Sequence, residues 1–267
     1  MPTTPQVLVF DTAFHQTMPA CAYTYPLSAD MIEKYKIRRY GAHGTSHRYV
    51  SMKMCEILGK VEGSKIVTCH LGNGSSISAV KDGKVIDTSM GFTPLDGVEM
   101  GTRCGSIDPA IVPFLMEREN IAPDAMSNYM NKKCGFLGLT GMSDSRDLEA
   151  AVENGPSDPN YEACNLATSV LFYQVKKFIG AYAAAMDGLD AIVFTAGLGE
   201  NNPRLREVVC EGLGYFGVKI DKELNAKMLR QSNIVKLSTD DSKVLVYLIP
   251  TNEELMIAQD TALLASK

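Results

Sequence analysis

The chain has 267 residues, 45% of them apolar, and a net charge of −5 at pH 7, with a pI of about 5.5. That length is enough to bury a real core, and that composition excludes a disordered chain. No Lys/Arg-rich run is present, which excludes nucleic acid or an anionic membrane as the main partner.

QVLVF predicts a short buried strand ending at Asp11, and TAFHQTMPACAYTYPLS reads as a loop. MIEKYKIRRYG predicts a short helix. Ser46 reads as an N-cap, followed by Val50, Met54, Ile57 and Leu58 at helical spacing and by Gly59 as the stop. KIVTCHL, SISAV and KVIDTS then predict a β-meander. Asp82-Gly83 is the strongest turn signal, because both residues tolerate positive φ.

After Asp108-Pro109 the pattern is helical: AIVPFLMERE, DLEAAVENG, and a long helix over 161–186 that is apolar around much of its girth. DAIVFTAG predicts another buried strand, with Gly197 to Asn202 as its loop. A helix starting near Pro203, the strand KVLVYLIP and a last helix capped by Thr251 or Asn252 complete the chain. This order predicts an α/β layered domain whose strand-following loops carry the ligand-binding residues.

Seven cysteines are present, an odd number without a CxxC pair, and several lie inside apolar runs. They point to a reducing compartment. MPTTPQVLVFD has no basic region followed by a long apolar stretch, and no run reaches membrane length, so a soluble cytoplasmic protein is expected.

Two loops are richer in small residues than a tight turn needs: HLGNGSS (70–76) and TAGLGENN (195–202). A hairpin alone would explain the first. A cradle of backbone N–H groups for a phosphate would also explain it. Neither loop fits GxxxxGK[ST] or GxGxxG. His43 and His47 are four apart, a spacing that on one helix face suits zinc. The start signals at Gly44, Thr45 and Ser46 place the helix after His43 and argue against that. Arg103 stands between glycines in GVEMGTRCGSIDP, placed either for a bidentate anion contact or simply for solvent. Asp11 reads as a metal- or proton-handling carboxylate or as a turn cap. Glu253 equally fits a helix dipole. Together this inventory suits phosphoryl transfer.

Taken in order, VFDTAFHQTMP, YGAHGTSHRYV, HLGNGSS, GFTPLDGVEMGTRCG, DSRDLE, GLGEN and PTNEELMIA resemble the acetate kinase family over essentially the whole chain. The resemblance implies a ribonuclease-H-like lobe of the actin-like ATPase type, with a mixed sheet flanked by helices. It implies Mg²⁺-dependent phosphoryl transfer between ATP and acetate, giving acetyl phosphate and ADP, in a homodimer. By motif, Asp11 resembles the catalytic carboxylate, and His43 and Arg103 the groups that stabilise the transferring phosphoryl. His70, Leu71, Gly72, Asn73, Gly74 and Ser75 resemble the phosphate loop, and Asp144, Ser145 and Arg146 a nucleotide-facing segment. Gly197, Leu198, Gly199, Glu200 and Asn201 resemble a second nucleotide loop, Glu253 the Mg²⁺ carboxylate, and Pro94 and Ala42 the acetate pocket.

The family's N-terminal lobe, with its NCGSSSLK-like loop, has no match here. Residues 1–12 are therefore expected to be its remnant, 13–250 the nucleotide-binding lobe, and 251–267 a helix returning to the missing lobe. That helix is expected to expose Leu255, Met256, Ala258, Leu263 and Leu264. Ala42 replaces a frequent aromatic. Ser106 replaces a common Asp, which is expected to disturb the loop holding Arg103. Two further readings stay open: a nucleotide-binding lobe without turnover of its own, and a kinase for propionate or butyrate.

Overall fold

A computed structural model of the chain describes residues 4–229 and 232–266. The start of the predicted remnant (1–3) and Lys267 lie outside the described residues. In chain order the helices are α1 (Ala20–Tyr23), α2 (Ala29–Tyr35), α3 (Gly44–Leu58), α4 (Ile111–Arg118), α5 (Pro123–Lys132), α6 (Gly135–Thr140), α7 (Ser145–Glu153), α8 (Tyr161–Ala185), α9 (Ala196–Asn201), α10 (Pro203–Glu211), α11 (Lys222–Lys227) and α12 (Glu253–Ala265). The strands are β1 (Lys65–Leu71), β2 (Ser75–Lys81), β3 (Lys84–Thr88), β4 (Ala191–Thr195), β5 (Val235–Lys236) and β6 (Leu245–Leu248).

The sheet order is β3-β2-β1-β4-β6-β5. The meander β1-β2-β3 is antiparallel, β4 and β6 join it in parallel to β1, and β5 returns antiparallel on the far edge. This is the mixed, helix-flanked sheet of an actin-like ATPase lobe. Asp82 and Gly83 both take positive φ, 55° and 71°, as the predicted hairpin requires.

Side-chain alternation along the strands divides the core. Val67, Cys69, Leu71, Ile77, Ile192, Phe194 and Val246 face α8, where Leu171, Val175 and Ile179 meet them. Ile66, Val80 and Val193 face α3 and pack on Val50 and Met54. On that α3 face the buried surface changes character toward one end: Thr68 pairs with Ser78, and His70 with Ser76, all buried. A polar interior on a central strand is costly unless every group finds a partner. It marks the end of the sheet where the functional groups gather.

Two sequence expectations fail. QVLVF forms no strand; Leu8 and Phe10 are 77% and 66% exposed, because no neighbouring strand among the described residues offers them a ladder. TAFHQTMP is not a plain loop but holds a 3₁₀ turn, Ala13–Thr17, whose His15 is fully buried. No helix of the described residues is long and apolar enough to cross a membrane.

Candidate active site

Helix α3 begins at Gly44, before the predicted Ser46 cap. Its N-cap is His43, held in the left-handed conformation at φ 60°, ψ 30°, which costs a non-glycine residue about 1 kcal/mol. Asp11 offsets that cost. Its carboxylate Oδ2 accepts the His43 N–H at 2.7 Å, and its carbonyl accepts the Gly44 N–H at 2.9 Å. Two helix-terminal donors are thereby satisfied by one residue. Ser46, released from capping, instead joins His70 Nδ1 and Thr251 Oγ1, each at 2.8 Å.

The His43 ring stacks on His70 with centroids 4.1 Å apart, and its Nδ1 lies 2.8 Å from Ser76 Oγ. Burial pushes the His43 pKa down. Asp11 opposes this, and Arg103 adds to the depression. The two histidines expected not to share a helix face do not both ligate one point; they meet the same hydroxyl, as His47 Nε2 is 2.7 Å from Ser76 Oγ.

Arg103 comes from the long loop after β3. Its Nη1 donates to the Pro94 carbonyl at 3.0 Å and rests against Met100 Sδ at 3.7 Å. The loop is braced by the segment that opens α6: Cys134, Phe136 and Leu137 donate their N–H groups to the carbonyls of Thr102, Met100 and Gly101 at 3.0–3.1 Å. Ser106 does not disturb this loop. Its hydroxyl donates to Asp96 Oδ1 at 2.6 Å and accepts the Gly97 N–H at 3.0 Å, tying the loop's two ends together. Ala42 is buried with Met90 and Met100.

The 72–74 turn brings these groups to one place. A β-carbon added at Gly74 would lie 3.3 Å from His43 Nε2 and 3.5 Å from Arg103 Nη1. A side chain there would press on the His43 ring by a few tenths of an ångström and fill the space between the two groups. Since β1 and β4 are parallel neighbours, with His70 opposite Thr195, the turn after β1 and the helix after β4 sit side by side.

Between them and α7 opens a cavity of about 730 Å³. Gly72, Asn73, Asp144, Ser145, Arg146, Gly197, Leu198 and Asn201, all predicted, line it. Sequence reasoning missed Glu149, Asn202 and Leu229. Glu149 was within reach of a helical argument, one turn beyond Ser145 on α7. Asn202 caps α10 by accepting the Leu205 N–H at 2.8 Å. Leu229 carried no signal.

Some predicted residues serve the site indirectly. The 197–202 stretch is not a loop; most of it forms α9. Leu71 is fully buried in the core. Ser75 braces the turn through Gly72, at 3.2 Å from its N and 3.0 Å from its O. Gly199 packs under β1, and Glu200 reaches back to accept the Ala196 N–H at 2.8 Å. His70 does not line the cavity; it backs the His43 ring.

Glu253 stands in the first turn of α12, which Asn252 caps through the Leu255 N–H at 2.9 Å. Its pKa is raised by burial and then by the Asp11 carboxylate. A divalent cation beside Glu253 would relieve the repulsion it feels from Asp11. Among the described residues no group of three or more His, Cys, Asp or Glu could hold a metal ion; an ion held by Glu253 would take most of its ligands from water and substrate oxygens. Helix α12 docks on α3. Met256 is 2% exposed, against expectation, and Arg48 forms a two-bond ion pair with Asp260 at 2.6 and 2.9 Å. Leu255, Leu263 and Leu264 remain exposed as expected.

The chain is 59% identical over 264 residues to an acetate kinase of Thermoanaerobacterium thermosaccharolyticum, covering 98% of this chain and 64% of that one. It is 57% identical over 269 residues to an acetate kinase of Phocaeicola vulgatus, covering 100% and 66%. The chain thus spans just under two thirds of the length of these curated relatives. Among solved structures, Porphyromonas gingivalis acetate kinase superposes with a TM-score of 0.90 at 48% identity, over 95% of this chain and 62% of that one. A propionate kinase from Francisella tularensis gives 0.88 at 42%, over 97% and 64%. A family model described as the acetokinase family matches residues 1–259, and the chain belongs to that family.

Proposed function

We propose that this chain carries the nucleotide-binding and phosphoryl-transfer machinery of a Mg²⁺-dependent acetate kinase. In that reading, residues 13–250 form the nucleotide-binding lobe, the flanking segments 1–12 and 251–267 belong to the side facing a second lobe, and the enzyme works as a cytoplasmic homodimer. The observation that carries it is the convergence of His43 Nε2 and Arg103 Nη1 over Gly74, at the rim of a nucleotide-sized cavity.

The cavity walls from Gly72, Asn73, Gly197 and Asp144 to Arg146 hold ATP with its γ-phosphorus toward Gly74. A carboxylate oxygen of acetate attacks that phosphorus as the bridging bond to ADP breaks, giving acetyl phosphate and ADP. Charge spreads over the three equatorial oxygens in transit, and Arg103 and neutral His43 donate to them. Asp11 holds His43 in place through the helix start. Glu253, with Asp11, is the candidate holder of Mg²⁺, which neutralises phosphate charge when bound.

Pro94 borders the acyl side through its contact with Arg103. The similarity to a propionate kinase keeps a longer acyl chain open, since one methylene discriminates by only about 1–3 kcal/mol.

The test is acetyl phosphate formation from ATP, Mg²⁺ and acetate, trapped as hydroxamate. Product that falls by roughly 100-fold or more in Arg103→Ala supports the reading. A folded chain that binds ADP yet forms no product supports the second reading, a nucleotide lobe without turnover of its own. The cavity walls support ADP binding under either reading.

A further inference from the structure

We propose that Ser76, His47 and Thr68 are positioning residues whose hydrogen bonds run in one direction and fix His43 as the tautomer with its proton on Nε2. This rests on the reading that His43 faces the transferring phosphoryl group, and it deepens that reading by assigning His43 as a neutral N–H donor.

The geometry is a chain of three short contacts. His43 Nδ1 is 2.8 Å from Ser76 Oγ, Ser76 Oγ is 2.7 Å from His47 Nε2, and His47 Nδ1 is 2.7 Å from Thr68 Oγ1. Ser76, His47 and Thr68 are fully buried. A hydroxyl has a single hydrogen, so Ser76 can donate to one ring only and must accept from the other. With one proton on each ring, an arrangement in which both rings donate to Ser76 leaves its own buried hydrogen without an acceptor among the described residues, which leaves two orders.

In the first order, Thr68 donates to His47 Nδ1, His47 Nε2–H donates to Ser76, and Ser76 donates to His43 Nδ1. The proton of His43 is then on Nε2. In the second, every bond reverses. His43 Nδ1–H donates to Ser76, Ser76 to His47 Nε2, and His47 Nδ1–H to Thr68, whose own hydrogen must then go to the Ser78 carbonyl 3.4 Å away. That distance is long for an O–H donor, whose bonds center near 2.7–2.8 Å. The first order keeps both hydroxyl hydrogens in bonds of 2.7–2.8 Å. It also points a donor at the spot shared with Arg103 Nη1, whereas the second would point a lone pair at phosphoryl oxygens. Burial, which lowers the pKa of both rings, is consistent with one proton on each.

The test is ¹⁵N NMR of the chain labelled at histidine, in which long-range couplings distinguish Nε2–H from Nδ1–H rings, assigned by replacing one histidine at a time. The expected result at neutral pH is Nε2–H for both His43 and His47. Finding Nδ1–H at His43 overturns the proposal. Thr68→Val, nearly the same shape, removes the head of the chain and is expected to release both rings into mixed tautomers. Unchanged tautomers in that variant also overturn it. Where the chain turns over, Thr68→Val lowers kcat by roughly 10- to 100-fold at unchanged KM for ATP. The tautomer readout needs no turnover, so an inactive chain with His43 as Nε2–H supports the proton order while removing the kinase reading. An active chain with Nδ1–H does the reverse.

Discussion

His43 and His70 stack face to face, their ring centroids 4.1 Å apart and their planes 18° from parallel. Neither ring can become a cation without facing the other. His47 lies 6.1 Å from His70, and His15 lies 5.7 Å from His47. All four histidines of the chain therefore form one cluster on the α3 face of the sheet, His15, His47 and His70 buried and His43 partly so. Burial is the first cause in each case, holding His15 down to about 4 and His70 to about 3 and depressing His43 and His47 as well.

The sign of the pH dependence follows. Below the ordinary value of 6.5 the unfolded chain takes up protons that the folded chain refuses, so stability is lost as pH falls from about 6.5 toward 4. Each fully excluded proton contributes a slope of about 1.4 kcal/mol per pH unit in that window. Urea midpoints measured at pH 7, 6 and 5 are expected to fall steeply, and His15→Gln with His70→Asn to flatten the fall. A midpoint constant from pH 7 to pH 5 would contradict the cluster's neutrality.

Glu99 acts in the opposite direction. It is 3% exposed, neither carboxyl oxygen has a hydrogen-bond partner, and burial raises its pKa to about 8. The folded chain binds a proton here that the unfolded chain releases above 4.5, so this residue costs stability as pH rises from about 4.5 to 8. Glu99→Gln replaces the protonated acid by a near-isostere that needs no proton. It is expected to stabilise the fold by roughly 3 kcal/mol more at pH 7.5 than at pH 5. Equal effects at both values would mean that the carboxyl is not buried as a neutral acid.

Arg206 is fully buried, and the charges of Cys210 and Glu200 only partly offset its desolvation. Its guanidinium donates to the carbonyls of Gly199 and Glu200 at 2.9 Å, and to Asn225 Oδ1 and the Met228 carbonyl at 2.7 and 2.8 Å. It fastens the end of α9 to the segment leading to Leu229, both of which border the cavity. Desolvation lowers its pKa to about 10, so it remains charged at neutral pH. Arg206→Met leaves several carbonyls without donors and is expected to cost roughly 3–5 kcal/mol and to weaken ADP binding. Arg206→Lys, lacking the planar fork, is expected to recover only part of both. Calorimetric melting with ADP titration checks it; unaltered ADP affinity in the lysine variant would separate this arginine from the site.

The strands and long helices were legible in the sequence because their periodicity matches their burial: KIVTCHL and AIVFT alternate between two buried faces, whereas α8, apolar around much of its girth, buries one stripe and leaves Leu166 and Tyr173 exposed. The site was legible only as motifs. Nothing local in HGTSH shows that His43 turns left-handed, since Asp11, 32 residues away, enforces it. The strand predicted at QVLVF shows the converse: an apolar run without a neighbour forms no ladder. Ser106 was misjudged because its partner Asp96 is ten residues upstream. The His-hydroxyl chain could be seen only once β1 and β2 set Thr68 against Ser78 and His70 against Ser76.

Gly44 gives the sharpest test of that long-range enforcement. Its place inside α3 makes Gly44→Ala a stabilising change on helix propensity alone, by about 1 kcal/mol. The structure predicts the opposite. An added β-carbon would lie 2.2 Å from the Asp11 carbonyl oxygen and 3.3 Å from Phe14 Cβ, so the Asp11 backbone must retreat and loosen its hold on His43. Overpacking of this kind costs roughly 1–3 kcal/mol. Gly44→Ala is therefore expected to lower the urea midpoint and cut phosphoryl transfer sharply. ADP affinity should hold, because the cavity walls at Gly72, Asp144 and Gly197 stand apart from this contact. A variant as stable and as active as the parent would show that the Asp11–His43 approach is not what holds the start of α3.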